Sequence, residues 1–316
     1  MIMDGFLQLY LLVWKRLVPN FALRIIVRAL CRQRLREIDH GSFELNHAVK
    51  MKWIEDVCAR ASIAGSTQTA NEQHYEVSTK FILSCIGPYA KYLTCLYPTG
   101  HEILEQAEIS MLESYCEKVH LTDVMDVLDV GCGWGSLSIY LAQKYPKSRT
   151  TGLSNSSTQK SYIDAIAKEK GLNNVETHCG YIITGDVNTF EFVETRRFDR
   201  ILSIEISTWL RPASANYARE SLLFVHMFCG TMSSHNLLAY FRSDLALTQD
   251  RNAKSGIKEL EEDAVSKGLT EEEGRKAFYR FRVLYMACSE PFAFHGGEEW
   301  GIGHYLFKPK IRQQSY

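Results

Sequence analysis

The residues best suited to chemistry lie in 127–136, VLDVGCGWGS. An apolar run carries one acid, Asp129, and Gly131, Gly133 and Gly135 follow at every second position. Strand, glycine turn and helix together form a general holder for a polar ligand, because glycine admits tight dihedrals and lets the backbone come close. A phosphate loop of the P-loop type needs Gly-Lys-Ser/Thr next, and that sequel is absent. A dinucleotide loop needs G-x-G-x-x-G. Gly131 and Gly133 fit it, but the third position is Ser136 and Gly135 falls one place early. A glycine turn that holds no ligand is the remaining alternative, and the acid at the strand end argues against it.

The order Asp129-x-Gly131-x-Gly133-x-Gly135 resembles that of the S-adenosyl-L-methionine (AdoMet) methyltransferases, whose loop lies against the methionine end of the cofactor. Such enzymes usually place an acid at the end of the next strand, on the ribose hydroxyls. Here Gly152-Leu153-Ser154-Asn155 stands there instead. The coclaurine N-methyltransferases of plant alkaloid pathways share that departure, and the chain resembles them and their wider relatives, the cyclopropane-fatty-acyl-phospholipid synthases. The shared stretches are QHYE (73–76), VLDVGCGWGSLSIYLAQKYP (127–146), TGLSNSSTQK (151–160), FDRILSIE (198–205), SLLFVHMFC (221–229) and GGEEW with HYLFK (296–308).

The resemblance implies an α/β, Rossmann-like class I AdoMet-dependent methyltransferase fold. Its sheet would be mostly parallel and seven-stranded, left incomplete if segments are lost, with an N-terminal helical extension. It implies AdoMet as cofactor, a small aromatic amine as acceptor, and N-methylation as the reaction. Lipid modification of the cyclopropane-synthase type is the alternative. Gly131 and Gly133 would present backbone to the cofactor beside Asp129. Tyr92 would touch the cofactor's carboxylate, although the family's following serine is Leu93 here. Ser154 and Gln159 would replace the ribose acid, Asp186 and Val187 would flank the adenine, and Ile204 would line the pocket. Glu76 and Glu205 would contact the amine as the catalytic carboxylates. Carboxylates suit that task, because an amine is protonated near neutral pH and must lose a proton before attack.

Each residue also has a plainer reading. Ser156 and Gln159 fit a helix capping box. Asp186 fits a turn beside Gly185, Tyr92 a core position, Glu76 a loop acid and Glu205 a strand-end cap. The chain also departs from the family in three places. After Glu205 the family continues into a Glu-His pair and a helix, whereas here ISTWLRP follows. Further segments are missing after Cys229 and after Gln249. A degenerate, non-catalytic homologue is therefore a third reading, as is a sequence from which coding segments were lost. His226, on a strand, and Glu290, near His295, are the remaining candidate bases. A lone strand histidine is more often a satisfied core residue.

These residues need a scaffold. From 123 to 316, strand-like runs (VMDVLDV, RTTGLS, NNVETHC, FDRILSIE, SLLFVHMF, NLLAYF) alternate with helical ones, the pattern of a parallel sheet. A helix over SSTQKSYIDAIAKEKG ends at Gly171, Thr270 with Glu273 caps a late helix, and EEWGIGHYLFK closes the chain as a strand. Residues 1–122 read as a helical extension or lid. There, Thr99 and Glu102 predict a capping box for a helix from Glu102 to Val119. Arg24, Arg28, Arg32 and Arg36 recur every fourth residue as a basic ridge. A solvated face is the ordinary reading of that ridge, and contact with an anionic membrane surface is the alternative.

With 36 basic and 37 acidic residues the chain has no global charge that favours nucleic acid. Nine scattered cysteines without C-x-x-C spacing argue for reduced thiols and against a structural metal. Gly5–Trp14 is too short to span a bilayer and lacks a basic n-region. A cytoplasmic protein is the expectation, and nothing in the sequence sets its oligomeric state. Sixteen tyrosines, fifteen phenylalanines and five tryptophans leave ample material for an aromatic pocket.

Overall fold

The computed structural model describes residues 18–59, 78–92, 94–154, 156–179, 198–204, 217–230, 240–242 and 252–308. The chain first passes through α1 (Asn20–Ile38), α2 (Phe43–Cys58), α3 (Thr79–Cys85), β1 (Cys95–Tyr97) and α4 (Leu104–Lys118). The sheet-forming part follows as β2 (Asp126–Val130), α5 (Ser136–Lys144), β3 (Arg149–Ser154), α6 (Ser157–Glu169), β4 (Val175–Cys179), β5 (Phe198–Ile204) and β6 (Tyr217–Gly230). It ends with β7 (Tyr240–Arg242), α7 (Ala253–Ser266), α8 (Glu271–Ala293) and β8 (Trp300–Phe307).

Among the described residues, six strands form one sheet in the order β4-β3-β2-β5-β6-β8. The first five are parallel, and β8 runs antiparallel to β6. The resemblance implies seven strands, or fewer if segments are lost. NLLAYF accounts for the difference: its described part is β7, which pairs antiparallel with β1 away from the main sheet. β2 lies at the centre, and Val127, Leu128, Asp129 and Val130 are all buried. A strand covered on both faces reads as a continuous apolar run, as this one does.

α4 packs on this sheet. Met111, Leu112 and Tyr115 meet Val127, Leu202 and Phe224 in one core. The helix begins at Leu104 rather than Glu102. The Glu102 carboxylate turns back before the helix and accepts from Thr99 N at 2.9 Å and Gly100 N at 3.0 Å, while Gln106 accepts from Ile103 N at 3.2 Å. Thr99 and Glu102 thus close a turn ahead of the helix. α8 begins as predicted, with Thr270 and Glu273 bonded reciprocally. α6 ends as predicted before Gly171, which sits at φ 65°.

A second core joins Leu23, Phe81, Ile82 and Cys85 to Leu260, Phe278, Tyr285 and Met286 on α7 and α8. Half of the arginine ridge serves this junction. Arg24 and Arg28 of α1 both bond the Glu290 carboxylate of α8, which is 1% exposed, and Arg28 does so at 2.6 Å. Arg24 and Arg28 stay 38% and 50% exposed, so the ridge is solvated as expected while two of its guanidinium groups also serve the junction. A buried carboxylate needs paired charge, and these two guanidinium groups supply it. Glu290 is thereby committed to packing α1 on α8, and His295 pairs instead with Glu299 at 2.7 Å. Among the described residues no helix is long and apolar enough to cross a membrane.

Candidate active site

The glycine loop leaves β2 and enters α5. Gly131, Gly133 and Gly135 all adopt positive φ, 74°, 53° and 79°. That region favours glycine, which is why the spacing has to be glycine-rich. Two of the three differ in what surrounds them. A Cβ on Gly135 would lie 2.7 Å from Ile163 Cγ1, so this glycine lets α5 and α6 approach. A Cβ on Gly133 would meet nothing within 4 Å. Gly133 therefore presents bare backbone to open space. Ser136, first residue of α5, has a buried hydroxyl with no hydrogen-bond partner among the described residues.

Asp129, at the end of β2, is buried. Its Oδ2 accepts from Ser138 Oγ at 2.7 Å, which ties the strand end to α5. Burial pushes its carboxyl up to about 6, against the pull of Ser138 and the nearby Lys91 ammonium. The acid thus braces the two elements that flank the loop. Ser154 and Gln159 are both buried and bond each other, Ser154 Oγ to Gln159 Oε1 at 2.7 Å. Ser156 Oγ accepts from Gln159 N at 3.3 Å, half of the predicted box. The Gln159 side chain reaches Ser154 instead of completing it. These two residues are brought together at the end of β3, beside the loop.

Tyr92 lies edge-on to Tyr285, with ring centroids 6.3 Å apart, and packs against the cluster that includes Trp134 of the glycine loop. Ile204 ends β5 and stands opposite His226 of β6 in the parallel register. His226 is 0% exposed. Its Nε2 lies 3.0 Å from Thr94 Oγ1, and its Nδ1 lies 3.1 Å from Tyr115 OH and 2.8 Å from His304 Nε2. Lys118 Nζ donates to His304 Nδ1. An ammonium only donates, so His304 carries its proton on Nε2 and gives it to His226 Nδ1. Burial, reinforced by His226, Lys118 and Lys91, pushes His304 down to about 3 and keeps it neutral. His226 is therefore a satisfied core histidine. Glu76, Asp186, Val187 and Glu205 lie outside the described residues.

Sequence reasoning passed over three participants. Ser138 carries no motif signal. Lys91 is buried, with its ammonium 5.4 Å from the Tyr115 ring centroid. Glu108 is buried on α4, and its signal was available: it is the acid inside the stripe Leu104, Ala107, Met111, Leu112 and Tyr115.

A family model described as mycolic acid cyclopropane synthetase matches residues 64–246. The (S)-coclaurine N-methyltransferase of Thalictrum flavum subsp. glaucum is 28% identical over 344 aligned positions, covering 93% of this chain and 93% of that one. The aligned span exceeds the 316 residues of the chain, so that relative carries residues without a counterpart here. The cyclopropane-fatty-acyl-phospholipid synthase of Escherichia coli (strain K12) is 35% identical over 162 residues, 49% of this chain and 39% of its own. Among solved structures, coclaurine N-methyltransferase bound to N-methylheliamine and SAH superposes with a TM-score of 0.84 at 25% identity, covering 96% of this chain and 100% of that one. The cyclopropane synthase MmaA2 of Mycobacterium tuberculosis superposes with a TM-score of 0.54 at 16% identity, which carries the fold alone.

Proposed function

The chain belongs to the mycolic acid cyclopropane synthetase family, and from that premise we propose that it is an AdoMet-dependent methyltransferase acting on the nitrogen of a small aromatic amine. The observation that carries this reading is the whole-chain likeness to a coclaurine N-methyltransferase solved with a methylated amine and SAH. The cyclopropane synthase likeness covers half the chain.

The residues present suit the cofactor. Gly133 faces open space that a side chain would fill, and the Ser136 hydroxyl at its edge is buried without a partner among the described residues. Gly131 and Gly133 would offer backbone, with Asp129 holding β2 to α5 beside the turn. Tyr92 would meet the cofactor's carboxylate, and Ser154 with Gln159 would meet the ribose. Asp186 and Val187 would flank the adenine, and Ile204 would line the pocket. Bound AdoMet supplies an electrophilic methyl group on sulfonium.

The chain's own work is to hold and aim the acceptor, which can supply roughly 7–11 kcal/mol of such a barrier. Glu76 and Glu205 would hold the ammonium and take its proton, freeing the nitrogen lone pair for the methyl carbon. A second reading, a fold that binds AdoMet without catalysis, draws support from the longer aligned span of the relative and from a β5–β6 connection of residues 205–216 only. About a dozen residues is the lower limit for joining parallel strands.

Glu205→Gln separates the two readings. For an amine methyltransferase, cofactor affinity by calorimetry stays within about twofold while turnover of an amine panel falls about 100-fold or more, the scale of a lost general base. Cofactor binding without turnover in the unaltered protein would favour the binding-only fold.

A further inference from the structure

Glu108 is an acid in a helix stripe that otherwise faces the sheet core. It is 0% exposed, with Ala107, Met111 and Leu112 around it. A buried carboxylate is costly unless hydrogen-bonded. Its partners are backbone groups of one short segment: Oε2 accepts from Tyr89 N and Oε1 from Lys91 N, each at 3.1 Å. Between them the chain turns sharply. Ala90 N donates to Gly87 O at 2.9 Å, and Ala90 sits at φ 53°. Backbone N–H groups converging on one anion form a nest, and here the anion is the chain's own side chain. Gly87 closes the wrap, since a Cβ there would lie 2.3 Å from Glu108 Oε2.

Two groups of this anchored segment bear on the glycine loop. Tyr92 follows Lys91 directly and packs against the cluster that contains Trp134. The Lys91 ammonium acts on Asp129, the acid that braces the glycine loop. We propose that Glu108 is a positioning residue of the cofactor site, fixing the 87–91 turn so that Tyr92 and Lys91 are set against the two ends of the glycine loop. The proposal rests on the AdoMet-binding reading of Tyr92 and that loop.

The test is calorimetric titration of the full chain with AdoMet and with its demethylated product, beside thermal melting. It compares wild type, Glu108→Gln, Tyr92→Phe and the double variant. Glutamine keeps the shape but turns an NH2 toward a backbone N–H. Folded Glu108→Gln is expected to bind both ligands about 10- to 100-fold more weakly, the range for one buried acceptor lost. The double variant is expected to fall short of the product of the two single losses, because Glu108 acts through Tyr92. Gly87→Ala presses a methyl group on the same carboxylate and is expected to weaken binding likewise, which keeps the test open if Glu108→Gln unfolds. A lowered melting point with unchanged affinity overturns the positioning role, as do fully multiplicative losses. Failure of the wild type to bind either ligand overturns the cofactor reading itself, and the positioning role with it.

Discussion

The two halves of the sheet are built differently. In β4-β3-β2 each crossover carries a helix, α5 or α6, and the polar residues at the strand ends bond neighbours close in sequence. Asp129 takes Ser138, and Ser154 takes Gln159. In β5-β6-β8 the buried polar groups find partners far along the chain. His226 takes Thr94, Tyr115 and His304. The first half is a local construction that a motif can encode. The second depends on α4, the segment after Tyr92 and the last strand all arriving together.

The largest expected effect lies in the local half. Gly135→Ala meets both a strained φ and Ile163, and is expected to cost about 2–4 kcal/mol in urea unfolding. Gly133→Ala shares the positive φ but has open space, so its cost is expected to be about 1 kcal/mol, with the greater loss in AdoMet affinity. Equal unfolding costs at both positions would break the contrast between the packing glycine and the ligand-facing one.

Next come the acid limbs, where the two halves have opposite signs. Asp129 is raised from 3.8 to about 6 by burial, so its folded state binds the proton more tightly than the unfolded chain does. Its contribution is full below about pH 3.8 and is lost as pH rises through about 6. His304 is lowered from 6.5 to about 3, again by burial first. Its contribution is full above about pH 6.5 and is lost as pH falls through about 3. Unfolding midpoints measured from pH 3 to 8 should show Asp129→Asn removing a decline with rising pH, and His304→Gln removing a decline with falling pH. The same sign for both would erase the distinction between the halves.

A further effect, outside both halves of the sheet, concerns the α1–α8 junction. Glu290→Gln leaves two half-exposed arginines that water can solvate, and is expected to cost about 1–2 kcal/mol. Thermal melting in low and high salt checks it. A loss above the range of exposed pairs would mean that the ridge is more deeply buried in its energetics than its exposure indicates.

Legibility followed the range of the interactions. The three glycines, the Ser156 cap, the Thr270–Glu273 box and the parallel strands from 126 to 179 are governed by neighbours a few residues away, and their signals lie on the surface of the sequence. Thr99–Glu102 misled because the same residue pair can close a turn as well as cap a helix, and the helix waited for Leu104. NLLAYF misled because apolar strand character does not say which edge a strand will join. Glu290 and His226 were legible only as types, since a buried acid and a buried histidine take their meaning from partners 262 and 132 positions away.

By itself, the sequence determined the glycine turn after β2, because three positive φ values in five residues strain any residue with a side chain far more than glycine. It also determined the α/β alternation and the ends of the capped helices, because propensity and capping are local. The tertiary structure alone decided that Asp129 faces Ser138, that Arg24 and Arg28 are drawn to Glu290, and that Glu108 gathers the turn before Tyr92. Each of these is a buried charge seeking partners, and burial is a property of the whole fold rather than of any stretch of chain.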